Sequence, residues 1–385
     1  MLKQITNSRI LTEEGWLVGG SIVIENGKII EVLNSELPLE GAEIIDAKGC
    51  DVVPGGIELH IHGGGGRDFM EGTEEAFRTA VAAHMHYGTT AIYPTLSSST
   101  REWIDAAIET CEKLMAEPGS PIMGLHLEGP YFNLSKAGAQ MPDIIRNPDP
   151  KEYEDILSKT QCIKRWDAAP ELPGAKEFFE SCIKHGVTPA IAHTDGEWED
   201  VKMAYDAGVR LATHFTNAMS ALKKDREFKK AGVVESVYAL DDFNVEVISD
   251  GIHVPPVVIK QIYNAKGNGH MCFITDSLAC SASTADTNFD PRVIIEDGVC
   301  KLADRSALAG SISTMDRLVR TAVQQAGISM EAACRMISEM PARFMGIDDH
   351  KGFIKKGYDA DIIMFDKNIE LKFVMQNGDV KRCDL

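Results

Sequence analysis

Apolar and polar residues alternate at both ends of the chain, whereas the middle of the chain repeats a different pattern. Residues 21–32 are two alternating segments joined by Asn26-Gly27, a dipeptide typical of tight hairpin turns. Residues 360–378 repeat this pattern and end at a second Asn-Gly pair. We therefore expect residues 1–53 and 351–385 to form one small β-sandwich domain built from both termini. Two unrelated edge hairpins are the alternative interpretation.

Between these ends, residues 54–350 alternate short apolar runs with segments of helical periodicity, several of which end at a glycine. Eight of the apolar runs have the length of buried strands: 57–62, 89–96, 122–128, 162–168, 188–193, 210–215, 244–249 and 271–276. Eight strand–helix units favour an α/β fold of the (β/α)8 TIM-like barrel type. An open doubly wound sheet is disfavoured, because no Gly-x-Gly-x-x-Gly turn follows the first run. Residues 277–290 are expected to be a mobile loop over the barrel mouth.

Composition and charge narrow the class of protein. The chain has 385 residues, of which 44% are apolar and 25% charged, as in an ordinary soluble globular protein. A formal charge of −19 argues against binding to nucleic acid or to an anionic membrane surface. The N-terminus lacks the features of a signal peptide, and the nine cysteines are scattered without paired spacing. The sequence therefore predicts a cytoplasmic protein that does not enter membranes.

Polar residues close five of the eight predicted strands. In a barrel, the carboxyl ends of the strands meet at one face, where active sites are built. His60 and His62 are two residues apart on the first strand, so both side chains point to the same side. Imidazoles and carboxylates are ligands that both zinc and iron accept. The predicted metal ligands are His60, His62, Glu128, His193, His214 and Asp276.

These ligands allow one or two divalent ions per chain, with zinc or iron expected. The two histidines of the first strand can hold one ion, and His193 and His214 the other, while the two oxygens of Glu128 can bridge them. Asp276 can contact a metal and also act as the catalytic acid/base. It would take the proton of the attacking water and later give it to a leaving nitrogen. The sequence therefore predicts metal-dependent hydrolysis.

Several further residues lie in sequence contexts that indicate a function less specifically than the metal ligands do. His253 follows the seventh strand and is expected to contact the substrate at the barrel mouth. Residues 223–230 form the densest basic run, which is either a solvated helix face or a source of a guanidinium for a phosphate. His126 shares a strand face with Glu128, so it either supports a metal ligand or simply packs. His84 and His86 fall on a helical pattern and are expected to be surface or packing residues.

The motifs, taken in order along the chain, resemble the amidohydrolase superfamily, and within it the family of N-acetylglucosamine-6-phosphate deacetylases. The resemblance spans nearly the whole chain. Its most specific parts are Glu-Gly-Pro after the third strand and Asn-Ala-Met after the sixth. The matching segments are 54–63 (PGGIELHIHG), 126–131 (HLEGPY), 137–140 (AGAQ), 192–194 (AHT), 213–219 (THFTNAM), 250–253 (DGIH), 275–276 (TD) and 308–311 (LAGS).

This resemblance implies a homodimer that hydrolyses the 2-acetamido group of N-acetyl-D-glucosamine 6-phosphate, releasing acetate and D-glucosamine 6-phosphate. It assigns Asn217, Ala218 and His253 to the sugar phosphate. Arg226 matches an arginine that reaches the phosphate from the neighbouring subunit. Gln140 falls in the substrate site, where some relatives carry a histidine over the acetyl carbonyl. Some relatives also lack His-x-His and keep one metal, whereas this chain retains both histidines.

Three alternative functions differ in substrate or class. The same chemistry on N-acetylgalactosamine 6-phosphate differs only in the orientation of one hydroxyl group. Another amidohydrolase acting on a cyclic amide is less consistent with the sequence, because Glu128 stands where those enzymes use a bridging carbamylated lysine. A non-catalytic metal-binding scaffold would have no need of Asp276 beside a complete ligand set.

Overall fold

Eight parallel strands form a barrel in the middle of the chain. The computed structural model describes residues 1–267, 269–284 and 289–385. The barrel strands, numbered β1–β8 in chain order, are almost entirely buried. They are Gly56–Ile61, Thr89–Leu96, Leu125–Tyr131, Ile163–Ala168, Thr188–Ile191, Leu211–Ala212, Asn244–Ile248 and Met271–Ile274. Every one of the eight predicted strands is therefore confirmed, although several end before the predicted last residue.

The order of the strands distinguishes this sheet from a doubly wound one. Neighbours pair in chain order from β1 to β8, with no reversal. Hydrogen bonds connect the first and last strands at their carboxyl ends. The Asp276 amide donates to the His60 carbonyl at 2.9 Å, and the His62 amide donates to the Ser277 carbonyl at 2.9 Å. These bonds bring the predicted ligands of β1 and β8 together.

Helices cover the outside of the barrel and bury their apolar faces against it. Four of these helices are followed closely by a glycine with positive φ, at Gly88, Gly186, Gly208 and Gly267, as the sequence predicts. The helices α1–α10 are Glu74–Met85, Arg101–Met115, Pro150–Lys159, Ala175–Lys184, Trp198–Asp206, Val233–Ala239, Pro256–Lys266, Met315–Gln324, Met330–Ile337 and Glu339–Phe344.

A second sheet is built from both ends of the chain and has its own apolar core. Its two ends join where Asp51–Pro54 pairs antiparallel with Ile362–Phe365, which excludes two unrelated hairpins. The turns at Asn26-Gly27 and Asn377-Gly378 have positive φ at each residue, as expected for tight hairpins. The remaining strands of this sheet are Lys3–Thr12, Gly15–Glu25, Lys28–Leu33, Glu43–Asp46, Leu371–Gln376 and Asp379–Cys383. The division of the chain at residues 53/54 and 350/351 stays a prediction.

Short hairpins and loops surround the barrel mouth. The basic run forms the hairpin Lys223–Asp225 and Phe228–Lys230, so the helical interpretation is wrong. Of the predicted loop, residues 277–284 and 289–290 contain no helix or strand, and residues 285–288 lie outside the described part. The other short strands are Gly63–Gly64, Arg67–Asp68, Val293–Glu296 and Val299–Leu302. None of the described helices has the length and apolarity needed to span a membrane.

Candidate metal centre

Three predicted ligands lie immediately beyond the ends of their strands. His193, His214 and Asp276 have φ of 44°, 33° and 49°, in the left-handed region that residues other than glycine rarely occupy. Such a conformation cannot continue a strand, so β5, β6 and β8 end before these residues. Strained backbone of this kind persists only where its surroundings hold it, and it concentrates at functional sites.

Glu128, His193 and His214 form the first group of potential ligands. Glu128 Oε1 lies 3.0 Å from His193 Nε2 and 3.1 Å from His214 Nε2, and the two imidazole nitrogens are 3.2 Å apart. All three residues are buried. Three ligand atoms from β3, β5 and β6 thus form a nearly equilateral triangle.

His60, His62 and Asp276 form the second group. His60 Nε2 lies 3.2 Å from His62 Nε2 and 3.5 Å from Asp276 Oδ1, and His62 Nε2 lies 3.1 Å from the same oxygen. Glu128 lies between the two groups, because its Oε2 is 3.4 Å from His62 Nε2 while its Oε1 belongs to the first triangle. The two groups are therefore adjacent and share one carboxylate.

The dimensions of both groups fit divalent metal ions. Ligands bound about 2.0–2.1 Å from a tetrahedral ion are separated from one another by about 3.3–3.4 Å. The distances within the two triangles, from 3.0 to 3.5 Å, bracket that value. Facing imidazole nitrogens at such distances, with carboxylate oxygens among them, are the donor set expected around zinc or iron.

The carboxylates of both groups are held in the ionised form that binds metal. Burial by itself raises the pKa of Glu128, but the neighbouring imidazoles of His60, His193 and His214 hold it well below its usual range. Burial likewise opposes ionisation of Asp276, yet the neighbouring histidines lower its pKa. Since protons and metals compete for the same imidazoles, metal binding to these groups should weaken at acid pH.

The second nitrogens of two histidines are fixed by hydrogen bonds. His193 Nδ1 lies 2.8 Å from the Lys136 carbonyl, and His62 Nδ1 lies 3.2 Å from Ser97 Oγ. A carbonyl oxygen accepts a hydrogen bond only from a protonated nitrogen, so the contact with Lys136 places the proton of His193 on Nδ1. Nε2 is then unprotonated and is the atom that can bind a metal. Neither the Lys136 carbonyl nor Ser97 was predicted from the sequence.

Gln140 contacts a metal ligand through its amide. Its Nε2 donates to Glu128 Oε2 at 2.7 Å, and its Oε1 accepts the Ser98 backbone amide at 2.7 Å. The Ser98 bond fixes which end of the side-chain amide faces Glu128. Gln140 therefore lies at the predicted place, but both ends of its amide are already engaged with the protein.

A cavity of about 480 Å³ opens over both groups, a size suited to a small ligand. His253 lines this space; its Nδ1 is 2.8 Å from Asp250 Oδ2, and its Nε2 has no hydrogen-bond partner within the described residues. Two cationic side chains line the cavity, but Lys136 pairs with Asp195 and Arg292 with Asp290. The predicted site residues that line it are His62, Glu128, Gln140, His193, His214, Asn217, Ala218, His253 and Asp276.

The sequence matches the Amidohydrolase family over residues 52–382, which is most of the chain. The chain belongs to the amidohydrolase family. It is 30% identical over 362 residues to an N-acetylglucosamine-6-phosphate deacetylase of Haemophilus influenzae, covering 92% of this chain and 93% of the relative. It is also 28% identical over 380 residues to an N-acetylgalactosamine-6-phosphate deacetylase of Escherichia coli O157:H7, covering 96% and 97%.

A solved structure supports the same family assignment. The N-acetylglucosamine-6-phosphate deacetylase of Pasteurella multocida superposes on this amidohydrolase with a TM-score of 0.94 at 27% identity. The superposition covers 99% of this chain and 100% of the other. The barrel and the sheet from both termini are therefore an architecture that this amidohydrolase shares with a solved relative.

Arg226 is a predicted site residue that neither belongs to a ligand group nor lines the cavity. It lies at the exposed tip of the hairpin 223–230 with φ 55°, and it is not among the residues that line the cavity. Within the described residues it has no hydrogen bond or ion pair, whereas Lys223 and Lys230 on the same hairpin both pair with Glu197. In this amidohydrolase, Arg226 is therefore exposed and does not line the cavity of its own chain.

Sequence reasoning missed a set of charged residues inside the barrel of this amidohydrolase. Arg165, Asp167 and Glu246 are completely buried beneath the two ligand groups. Glu58 is buried as well, and burial raises its pKa to about 8. A pattern could have identified two of them, because Arg165 and Asp167 are two residues apart in a predicted strand, on either side of Trp166, and so point to the same side of it.

The other histidines of the chain do not join either group directly. His84 is buried, with Nε2 3.0 Å from the Gly63 carbonyl and 2.9 Å from Ser281 Oγ, and burial lowers its pKa to about 4. His84 is therefore a packing residue, one of the two expected alternatives. His126 lies edge-on to His60 with ring centroids 4.8 Å apart, and its Nε2 is 3.0 Å from Asp167 Oδ2. His126 thus contacts a potential ligand rather than packing only against apolar residues.

Proposed function

We propose that this amidohydrolase hydrolyses the acetamido group of N-acetyl-D-glucosamine 6-phosphate to acetate and D-glucosamine 6-phosphate. The observation that carries the proposal is the pair of ligand triangles sharing Glu128 under a cavity of about 480 Å³. Relatives that match the chain over nearly its whole length carry this activity in their names. Amino-sugar metabolism is the corresponding biological role.

The proposed metal ligands are those predicted from the sequence. Glu128, His193 and His214 would hold one divalent ion, and His60, His62 and Asp276 a second, with zinc or iron as the proposed metal. An ion bound there supplies Lewis-acid charge for the substrate carbonyl and for the attacking water. The supporting observation is that the ligand atoms of each group lie at the separations a tetrahedral ion requires.

Asp276 is the proposed catalytic acid/base. Its pKa is lowered by His60 and His62 against the effect of burial, so it starts the reaction as a carboxylate that can accept a proton. It would take the proton of the attacking water and deliver it to the departing amine nitrogen, which could not leave as an anion. Its position at the edge of the cavity, beside both groups, supports this role.

The proposed substrate contacts lie farther along the cavity. Asn217 and Ala218, in the loop after β6, line it together with His253. Gln140 is retained as a contact near the acetyl carbonyl, although its amide is shared with Glu128. A homodimer in the cytoplasm, in which Arg226 of one subunit reaches the phosphate bound by the other, completes the proposal.

Acetate release distinguishes the candidate functions. Purified protein reconstituted with zinc or iron(II) should release acetate from N-acetylglucosamine 6-phosphate, and a hydantoin should remain intact. A preference for hydantoin would favour an amidohydrolase of cyclic amides, and no turnover of any amide would favour a metal-binding scaffold.

N-acetylgalactosamine 6-phosphate is the second candidate substrate, because a relative that is 28% identical over 380 residues carries that activity in its name. The two sugar phosphates should therefore be compared under identical conditions. A higher kcat/KM for the galactose epimer would replace the proposed substrate while leaving the reaction unchanged.

Replacing Arg226 should weaken the use of the phosphorylated substrate selectively. The cations that line the cavity are already paired with Asp195 and Asp290, so the phosphate needs another donor. A charge-assisted hydrogen bond contributes roughly 1.5–3 kcal/mol. Arg226→Ala should therefore lower kcat/KM for N-acetylglucosamine 6-phosphate by roughly 10- to 150-fold, while unphosphorylated N-acetylglucosamine, a poor substrate, should be nearly unaffected.

Subunit exchange tests whether Arg226 acts across a dimer. Mixing Arg226→Ala with Asp276→Asn should restore activity, because a mixed dimer contains one site with both residues intact. Lys224→Ala, which removes an exposed cation from the same hairpin, is the matched control and should have little effect. Equal losses on both sugars would contradict a phosphate contact, and the absence of rescue would assign Arg226 to its own chain.

A further inference from the structure

A cluster of buried charges lies beneath the ligand groups and has no part in the proposed proton transfers. Arg165 donates from Nη2 to Glu246 Oε2 at 2.7 Å, and its Nη1 also pairs with the other oxygen of that carboxylate. Arg165 Nε donates to Asp167 Oδ1 at 3.2 Å. All three side chains are completely buried. The cluster joins β4 to β7 across the interior of the barrel.

Stability alone does not account for this cluster. Taking charges out of water is costly, and buried ion pairs can often be replaced by apolar residues of similar volume without loss of stability. Here every group has its partners: Thr213 Oγ1 accepts from Arg165 Nη2 at 2.7 Å and donates to Asp167 Oδ2 at 2.8 Å. Arg165 Nη1 also donates to the Leu59 carbonyl, next to His60, at 3.2 Å. The side chains of the cluster are therefore held by several hydrogen bonds. One of these bonds reaches the residue before His60, the first potential metal ligand in the chain.

His60 is the ligand that this cluster reaches. Its Nε2 faces His62 and Asp276, whereas its Nδ1 is buried and has no hydrogen-bond partner within the described residues. Glu246 Oε2 lies 4.0 Å from that Nδ1, too far for a hydrogen bond but close enough for strong attraction to an N–H. Histidines that bind metals ordinarily present the second N–H to a carboxylate or carbonyl, which fixes the tautomer and the ring.

We propose that Glu246, held in place by Arg165, is a positioning residue that keeps the proton of His60 on Nδ1 and so leaves Nε2 as the ligand atom of the His60, His62 and Asp276 group. This inference rests on the proposed metal-dependent function. The effect should be confined to that group, because His60 is the only imidazole within 4.0 Å of the Glu246 carboxylate among the described residues. His193 of the other group has its own acceptor in the Lys136 carbonyl, 2.8 Å from Nδ1. Glu246 thus determines how tightly one of two ions is held.

Metal affinity provides a direct test that does not depend on catalysis. Metal-free full-length protein is titrated with zinc in competition with a chromophoric chelator. Glu246→Met removes the negative charge that faces His60 Nδ1. It should weaken one of two bound equivalents by about 10-fold and leave the other unchanged. This is the low end of the range of about 10- to 100-fold for losing a hydrogen-bonded partner, because the contact is longer than a hydrogen bond. Glu246→Asp keeps a negative charge beside Arg165, but its shorter side chain moves that charge away from His60. It should therefore lower the affinity for the same zinc equivalent. This variant provides the test if the methionine variant does not fold.

Asp361→Asn is the matched control, because Asp361 is also a buried carboxylate with a cationic partner, Lys351 at 2.7 Å, but it lies in the sheet formed by the termini. It should leave both zinc affinities unchanged even if it lowers the Tm of the metal-free protein. Unchanged affinity for both equivalents in a folded Glu246 variant would overturn the inference, as would equal weakening of both. The inference about Glu246 also fails if the unsubstituted protein binds only one ion. By contrast, a protein that binds two ions tightly but releases no acetate would contradict only the proposed function.

Discussion

Asp276→Asn should lower kcat by at least about 10²-fold, within the range that a general acid/base contributes. Asparagine preserves the shape of the side chain and the backbone at φ 49°, a conformation that asparagine tolerates better than most residues. It cannot accept the proton of the attacking water or return it to the leaving nitrogen. The loss should therefore appear in turnover while the fold remains intact, as measured by circular dichroism and thermal unfolding.

Metal content separates the two roles proposed for Asp276. Asp276 Oδ1 lies 3.1 Å from His62 Nε2, so the substitution could also loosen the second ligand group. Elemental analysis should accompany the kinetics, and the comparison should be made at saturating metal. An asparagine variant with normal metal content and near-normal turnover would show that Asp276 is not the acid/base.

Replacing His60 and His62 together should remove one of two metal equivalents and lower kcat/KM by at least about 10²-fold. Lewis-acid stabilisation of the transition state contributes several kcal/mol, and each 1.4 kcal/mol corresponds to a factor of about ten. The family resemblance places Gln140 where some relatives carry a histidine over the acetyl carbonyl. Here the Gln140 amide is engaged by Glu128 and the Ser98 amide, so it is poorly placed to compensate. Elemental analysis of protein purified without chelator should give about two equivalents before the substitution and one after it.

The chain contains its own control for this experiment, the second His-x-His at His84 and His86. Since His84 contacts the Gly63 carbonyl and Ser281 rather than either ligand group, replacing this pair should not alter the metal content of the folded protein. Adding Gln140→His to the variant lacking His60 and His62 should restore part of the lost activity. One equivalent in the unsubstituted protein after careful reconstitution would contradict the two-metal proposal.

The sequence by itself determined the barrel and the identity of the potential ligands. Alternation places His60 and His62 on one face of a strand, and the barrel places the ends of all eight strands at one mouth. The face on which a side chain lies and the end of the barrel at which it lies both follow from the position of the residue within its own strand. For the same reason the hairpins at Asn26-Gly27 and Asn377-Gly378 were predictable from a few residues.

Only the tertiary structure decided how these residues meet. Glu128 and His214 are 86 positions apart, and their separation of 3.1 Å depends on the tilt and closure of the whole sheet. The same closure turns Gln140 onto Glu128 and aligns Arg165 of β4 with Glu246 of β7, 81 positions away. No local pattern encodes such contacts, because they arise from the packing of strands that are distant in sequence. The hairpin bearing Arg226 is likewise tied to the chain by tertiary contacts, the ion pairs of Lys223 and Lys230 with Glu197, since a run of basic residues specifies charge but not direction.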